Sequence, residues 1–401
     1  MTLRVEKPAF NLREKLSELD HPIGVHGAQL MRSGSLRESH KLLGINRRNM
    51  LLNGNFAVNQ REFYGGSDYT FTSGQNGWGM DKWFFHEGTN GAFKISTPVS
   101  FPTPPEGGAQ YLQVEVTSAD TALGASQYSN ISTNIEGYYF NRTGWGTPKA
   151  LPLTLSFWHR HSLAGTYGGS FRNGNSNYNY VWSYTQAMAD RWERAVIAIK
   201  PEPTQSWYDD DGAVFRVAFS MGNGSDHLSN NLNNWFSGQY YHAPTNQVNF
   251  MGTSGNKFRM AAVQLEVGNQ ATPFEEVPYC EQLAACQRYY YVIGRGYMAP
   301  ARGSSTTNLL WPVYTPTPMR ANPSITTPSG YPHDSSFSIR AFTGEDAISD
   351  SSTTPTAESS YFYEHAPYIH MSQGGFSPNV SDDRARNIMI QSGQLGLSAE
   401  I

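Results

Sequence analysis

Four short segments set flat aromatic rings beside amides, a guanidinium group or carboxylates: Gly137–Trp145 (GYYFNRTGW), Tyr178–Tyr184 (YNYVWSY), Trp207–Asp211 (WYDDD) and Asn233–His242 (NNWFSGQYYH). That combination is what sugar binding needs, because a ring face covers the apolar side of a pyranose while planar amides and carboxylates make paired hydrogen bonds to its hydroxyls. Within these segments and the glycine-rich stretch before Tyr178, the sugar-facing candidates are Tyr138, Tyr139, Asn141, Trp145, Tyr167, Tyr178 and Trp207. Trp145, Tyr167, Tyr178 and Trp207 are flanked by Gly, Asn or Asp, which predicts loops and exposure. The competing account is packing, since half the aromatics of an alternating strand face a core or an interface. Trp83 and Trp158 sit in strand-like strings, DKWFF and LSFWH, and are expected in a core.

Other chemistry is weakly supported. Glycoside hydrolysis requires two carboxylates across one bond, and the sequence offers carboxylates without showing such a pair. A nucleophile elbow of the form GxSxG is missing, and Gly252–Gly255 (GTSG) reads as a turn. His159 and His161 alternate on one strand face with no HExxH string, which predicts surface or interface histidines rather than a metal site. Asp209, Asp210 and Asp211 lack the alternating ligands of a calcium loop and read as a solvated turn. Asn53, Asn55 and Glu266 are the weaker alternative for a structural calcium. The expectation is a protein that is not an enzyme, with no catalytic residue, metal or cofactor.

The elements that must position these residues are strands. Charged residues are 15%, aromatics 13% and hydrophobic residues 38% of 401, with 38 Gly and 23 Pro, a turn-rich all-β composition. Net charge is −4, from 29 basic and 33 acidic residues, without a basic run, so nucleic acid is not an expected partner. The sequence has no apolar run long enough for membrane insertion and no signal-peptide core at its start, so it is expected to be made in a cytoplasm. Cys280 and Cys286 lie six apart in a helix-like stretch and face different sides, which gives neither a disulfide framework nor a zinc site.

Four parts follow from the pattern. Residues 1–48 read as a short helical arm, with capping-box spacing at Asn11/Glu14 and Ser35/Glu38 and an apolar stripe of Leu12, Leu16 and Leu19 that needs a partner surface. Residues 49–277 contain short runs such as MLLNGNFAV, AQYLQVEV, RAVIAIK, AVFRVAFS and FRMAAVQLEV, and predict a jelly-roll-like antiparallel β-sandwich, with Gly165–Asn179 as a loop. Residues 278–291 predict a connecting helix with Tyr279, Leu283, Cys286 and Tyr290 on one face. Residues 292–401 predict a small C-terminal β-domain in which Ser349–Ser360 is an exposed loop.

Several strings taken together, EKPAFNLREKLSEL, NRRNMLLNGNFAVNQRE, MDKWFF, WGTPKALPLTLSFWHRHSLAGTY and VQLEVGNQATPFEEVPYCEQLAACQRYYY, resemble phage fibre proteins with a carbohydrate-binding-module-like β-sandwich. The PMRANPSIT string and the terminal LSAEI fit the same resemblance. It implies a homotrimeric virion appendage, on the tail rather than the head, anchored through its N-terminal arm to another virion protein. Its outer domains would meet a host-surface polysaccharide. The alternative is a structural adaptor, baseplate or head-decoration protein without glycan binding; a polysaccharide depolymerase is disfavoured because the short repeats of a long β-helix are missing.

Overall fold

The computed structural model describes residues 47–61, 68–98, 102–108, 110–175, 177–238, 240–294, 296–303, 309–326, 338–343, 346–351, 356–357, 368–373, 386–392 and 395–401. The stripe Leu12, Leu16 and Leu19 lies outside the described residues. Residues 49–401 form one compact unit.

The strands of the first layer pair run in chain order. They are β1 (Tyr69–Thr72), β2 (Asn76–Met80), β3 (Trp83–Glu87), β4 (Ala92–Ser96), β5 (Leu112–Ser118), β6 (Tyr128–Glu136), β7 (Leu153–His161) and β8 (Gly165–Asn173). Then follow β9 (Tyr178–Gln186), β10 (Glu193–Ile199), β11 (Ala213–Asn223), β12 (Leu228–Ser229), β13 (Trp235–Ser237), β14 (Ala243–Pro244) and β15 (Lys257–Val267). They build a six-stranded sheet, β1-β4-β5-β15-β7-β10, and a seven-stranded sheet, β13-β9-β8-β11-β6-β3-β2. All pairs within these two sheets are antiparallel. The protein is therefore all-β, a jelly-roll-like sandwich as its alternation predicts.

The alternation fixes what lies between the sheets. Ala195, Ile197 and Ile199 of β10, Phe215, Val217 and Phe219 of β11, and Tyr180, Trp182 and Tyr184 of β9 point into one core. Trp83 joins them with no exposed surface, its indole Nε1 donating to Asn53 O at 3.0 Å. Trp158 departs from expectation: in β7 the residues Leu155 and Phe157 take the inward positions, so Trp158 is half-exposed on the outer side. The same parity buries His159 and His161 rather than leaving them at a surface.

Two glycine- and asparagine-rich segments reverse their expected conformations. Met50–Val58 contains no strand, because Asn53 and Phe56 adopt left-handed φ of 56° and 58° and break the extended run. Much of Gly165–Asn179 is β8 rather than a loop. Glycine is needed there sterically, since a Cβ on Gly169 would sit 2.4 Å from the Trp182 ring and 2.1 Å from Ala218 O. The segment between β11 and β15 crosses the outer face of the seven-stranded sheet as a strap, with β12 and β14 paired in parallel upon it. A Cβ on Gly168 would meet Pro244 Cδ of that strap at 2.4 Å.

Helix α1 (Gly137–Phe140) follows β6, and helix α2 (Tyr279–Gln287) follows the sandwich. Helix α2 starts just after Pro278, whose carbonyl accepts from Glu281 N and Gln282 N. It buries Gln282 and Cys286 while Tyr279 is exposed, so the buried face is rotated from the expected Tyr279/Leu283 stripe. The rotation follows from a polar contact: Gln282 Nε2 donates to Asn55 Oδ1 at 2.7 Å. Helix α2 ends before Tyr290, which opens the next strand.

That strand is β16 (Tyr290–Ile293), followed by β17 (Met298–Gly303), β18 (Leu309–Tyr314), β19 (Ser324–Thr326), β20 (Ser338–Thr343) and β21 (Asp346–Ser351). The chain closes with β22 (Thr356–Ala357), β23 (Tyr368–Gln373), β24 (Arg386–Ser392) and β25 (Leu395–Ser398). These make sheets β16-β25-β19 and β21-β20-β24-β17-β18-β23-β22 around a second core containing Trp311, Val313, Met371 and Ile388. Ser349–Ser351 and Thr356–Ala357 are strand rather than loop, because β21 pairs with β20 and β22 with β23 despite their polar side chains. Side-chain bonds join this part to the sandwich. Glu136 at the end of β6 accepts from Arg288 Nη2 at 2.5 Å and from the Tyr289 hydroxyl, and Arg61 Nη2 pairs with Glu400 at 3.0 Å.

Candidate functional site

The sequence-predicted aromatics other than Tyr167 gather where segments 137–146 and 202–212 run side by side. Gly137 N donates to Gly212 O at 3.1 Å, Tyr138 N to Asp210 O at 3.0 Å and Gly146 N to Glu202 O at 2.9 Å. Gly137 has no alternative there, since a Cβ would lie 2.6 Å from Tyr208 O. Gly144 and Gly146 take φ of 69° and 78°, the left-handed conformation that turns the chain back.

Beneath this edge the rings form a packed base. Phe140 stacks on Phe215 at 4.9 Å, and Trp145 lies 5.1 Å from Trp207 and 5.4 Å from Trp235. Trp145 is only 6% exposed and its Nε1 donates to Leu151 O at 2.7 Å, so it is a structural residue, contrary to the exposure predicted from its glycine neighbours. Those glycines serve the turn rather than access. Tyr167 is corrected in the same way: it is an inward residue of β8, fully buried, with its ring 3.6 Å from that of His161 and its hydroxyl donating to Leu163 O at 2.9 Å.

What remains at the surface is a smaller set. Tyr138 is 52%, Tyr139 39% and Tyr208 45% exposed, and Asn141 is exposed beside them. Tyr208 is held by Asn175, whose Nδ2 donates to its hydroxyl at 3.0 Å. Trp207 is half-buried with its Nε1 3.4 Å from Glu202 Oε2. Tyr178 is half-buried at the far side of the base, stacked on Trp235 at 5.7 Å with 4° between the planes. Burial works to raise the Glu202 carboxyl, but hydrogen bonds from Thr204, Gln205 and Trp207 outweigh it and hold the group below the usual carboxylate range. Tyr208, Trp235, Glu202 and Asn175 were not singled out from sequence. Tyr208 and Trp235 stood inside the aromatic segments, while Glu202 and Asn175 carried no local signal.

The outer face of the seven-stranded sheet, beneath the strap, carries a second polar group, and it is largely buried. Parity places Asn134 of β6, Arg216 of β11, Arg172 of β8 and Asn179 of β9 side by side in register across four strands. Arg216 Nε donates to Asn134 Oδ1 at 2.8 Å, and Asn134 Nδ2 donates to Ile401 O at 2.5 Å. Along one side of this row Tyr128 is sandwiched between His86 at 4.2 Å and His242 at 4.5 Å.

The remaining candidates are structural. His159 Nδ1 lies 3.0 Å from Gln186 Oε1 and His161 Nε2 3.0 Å from the Tyr184 hydroxyl. Burial lowers His159 to about 4 and His161 well below its ordinary value, so both are neutral core groups. Asp210 Oδ1 accepts from Gly212 N at 2.9 Å and Asp211 lies 3.5 Å from Arg320, in an accessible turn. Asn53 spends its amide on Val58 and Asp81, and Glu266 accepts from Thr272. No group of three or more His, Cys, Asp or Glu residues suited to a metal ion occurs among the described residues.

No protein-family model and no curated protein matches the chain. Among solved structures, it is similar to the enzymatically active domain of tailspike protein 4 of bacteriophage CBA120, at 8% identity and a TM-score of 0.28 over 55% of this chain and 21% of that one. It is also similar to the module TmCBM61 in complex with β-1,4-galactotriose, at 10% identity and TM-score 0.27, over 55% of this chain and 99% of that one. A third is the family 11 carbohydrate-binding module of a cellulosomal cellulase of Clostridium thermocellum, at 12% identity and TM-score 0.27, over 51% of this chain and 97% of that one. At these TM-scores the likeness carries no argument about function.

Proposed function

We propose that this chain is a receptor-binding component of a phage virion appendage, a trimeric tail fibre that holds a host-surface glycan without cleaving it. The sequence resemblance supports the fibre, the trimer and the anchoring arm. The observation that carries glycan binding is the exposed group Tyr138, Tyr139 and Tyr208 with Asn141, standing on a rigid base of packed tryptophans. The backbone that carries the first two tyrosines is pinned to the facing segment at Gly137 and Tyr138, so little main-chain freedom is lost when a sugar stacks on their rings. Linked copies then raise avidity by roughly 10²–10⁴ where the geometry permits.

The test is binding of the full chain to host cells and to extracted host polysaccharide, wild type against Tyr138→Ala/Tyr139→Ala. Loss of binding by the folded double variant, with the secondary structure unchanged, is the expected result. Binding retained by the variant moves the site elsewhere, and absence of binding by either protein leaves an adaptor. Deleting residues 1–44 is expected to leave a folded body that no longer attaches to the particle; retained attachment refutes the anchor.

A further inference from the structure

Among the described residues, no Asp or Glu side chain pairs with the two arginines of the row on the outer sheet face. Arg172 is 2% exposed, and its Nε and Nη1 have no hydrogen-bond partner among the described residues. Directly opposite it across the β8–β11 pair stands Arg216, whose only hydrogen bond among the described residues goes to an amide. Like charges facing one another across an antiparallel pair repel, and a buried cation without a partner is costly. The groups that face the pair from every neighbouring element are no remedy. Tyr128 comes from β6, and Tyr240, its ring centroid 5.6 Å from the Arg172 guanidinium, comes from the strap. His242 of the strap, His227 of the turn before β12 and His86 of β3 complete the surroundings. None of these is an Asp or Glu side chain; the terminal carboxylate of Ile401 accepts from Asn134, which in turn accepts from Arg216. Burial, with the like charge of Arg216 adding to it, lowers Arg172 to about 9.

The unpartnered atoms on this face are complementary in kind. On the same face as Arg172, Ser170 Oγ, Asn179 Oδ1 and His242 Nε2 are buried and have no hydrogen-bond partner among the described residues. Ser170 is two residues from Arg172 on the same side of β8, and Asn179 is the register partner of Arg172 on β9. Guanidinium groups match an oxyanion in charge and in planar geometry, whereas a hydroxyl, an amide oxygen and an imidazole nitrogen suit sugar hydroxyls. We propose that Arg172 and Arg216, with Ser170, Asn179 and His242, form a binding site for the oxyanion of an acidic sugar residue, a carboxylate or a phosphate ester. The inference rests on the glycan-binding reading and names its substrate class, an anionic polysaccharide. It uses a different face of the sandwich from the tyrosine edge.

The experiment is calorimetric titration of the full chain with a glucuronate-containing tetrasaccharide, its carboxyl-reduced neutral counterpart, glucose 6-phosphate and inorganic phosphate. The same ligands are titrated into Arg172→Gln, Arg216→Gln and Tyr138→Ala/Tyr139→Ala. The expected result is binding of the acidic tetrasaccharide or the sugar phosphate at least tenfold tighter than the neutral sugar, reduced at least tenfold in Arg172→Gln. The comparison between those two ligands identifies the oxyanion. Equal affinity for acidic and neutral sugars, or acidic binding indifferent to Arg172→Gln, overturns the inference. If the tyrosine variant then abolishes that binding, the glycan reading survives without it. Inorganic phosphate binding as tightly as the sugar acids also overturns it, leaving a bare anion site. Ligand-free melting supplies a readout that a structural arginine would not give: Tm is expected to hold or rise in Arg172→Gln, because a buried unpaired charge is removed. A lower Tm in both arginine variants assigns the pair to folding and overturns the site.

Discussion

Trp83 and Trp158 show how one position in a strand decides the role of a residue. Both stand in apolar strings, yet Trp83 faces the core while Trp158 faces outward beside Glu106, its Nε1 3.4 Å from Oε2. Trp83→Ala is expected to cost about 3–5 kcal/mol, the range for deleting a buried aromatic. Trp158→Ala is expected to cost about 1 kcal/mol or less, since surface substitutions away from special features stay small. Urea unfolding of the two variants checks the difference. The same logic separates Trp145 from Tyr138 and Tyr139. Trp145→Ala is expected to weaken glycan binding only together with stability, by loss of its edge-to-face contacts with Phe140 and Trp207, whereas the tyrosines are expected to affect binding alone.

At the scale of elements, β8 is a strand that owes its place to glycines. Gly169 leaves room for the Trp182 ring on the inner side, and Gly168 admits Pro244 of the strap on the outer side. Gly169→Ala is expected to destabilise by about 1–3 kcal/mol through overpacking. Gly74→Ala has open space around it and meets only the cost of a left-handed φ of 78°, so it is expected to cost about 1–2 kcal/mol. Thermal unfolding with Trp182 fluorescence distinguishes them, because only the first displaces that ring. The junction after β6 is another element-level feature. Glu136 is fully buried and serves Arg288 and Tyr289 together, so Glu136→Ala is expected to cost about 3–5 kcal/mol as for a broken buried pair.

The whole molecule carries a pH dependence that its buried histidines set. His159, His161 and His242 all have folded values depressed by burial, so the fold holds them neutral while the unfolded chain protonates them near the ordinary value of 6.5. A depressed histidine contributes stability that is present above the unfolded value and is lost as pH falls below it, by roughly 1 kcal/mol per histidine at about pH 6. Asp81 acts in the opposite sense. Burial raises it to about 6 from 3.8, so its share of stability grows as pH falls from about 6 towards 4. Glu87 is raised by burial as well and has the same sign. Between about pH 7 and 6 the histidines act before the carboxyls oppose them, so Tm is expected to fall over that window. A series of thermal scans checks this, and His161→Gln is expected to flatten the slope.

Composition and alternation were sufficient for the all-β sandwich, because a strand's period of two depends only on neighbours along the chain. Runs such as RAVIAIK and AVFRVAFS carry that period openly. They also placed aromatics in the right segments, and three of the named rings, Trp145, Tyr178 and Trp207, do gather around Trp235. Exposure was beyond the sequence. Glycine beside Trp145 and Tyr167 signals a turn or a close approach with equal force, and only the packed neighbours distinguish these from a loop open to solvent. The outer-face row was equally hidden. Arg172 and Arg216 are 44 positions apart in the sequence and become neighbours only through the register of β8 against β11. Which groups surround them, with no Asp or Glu side chain paired to either among the described residues, was decided by tertiary structure alone.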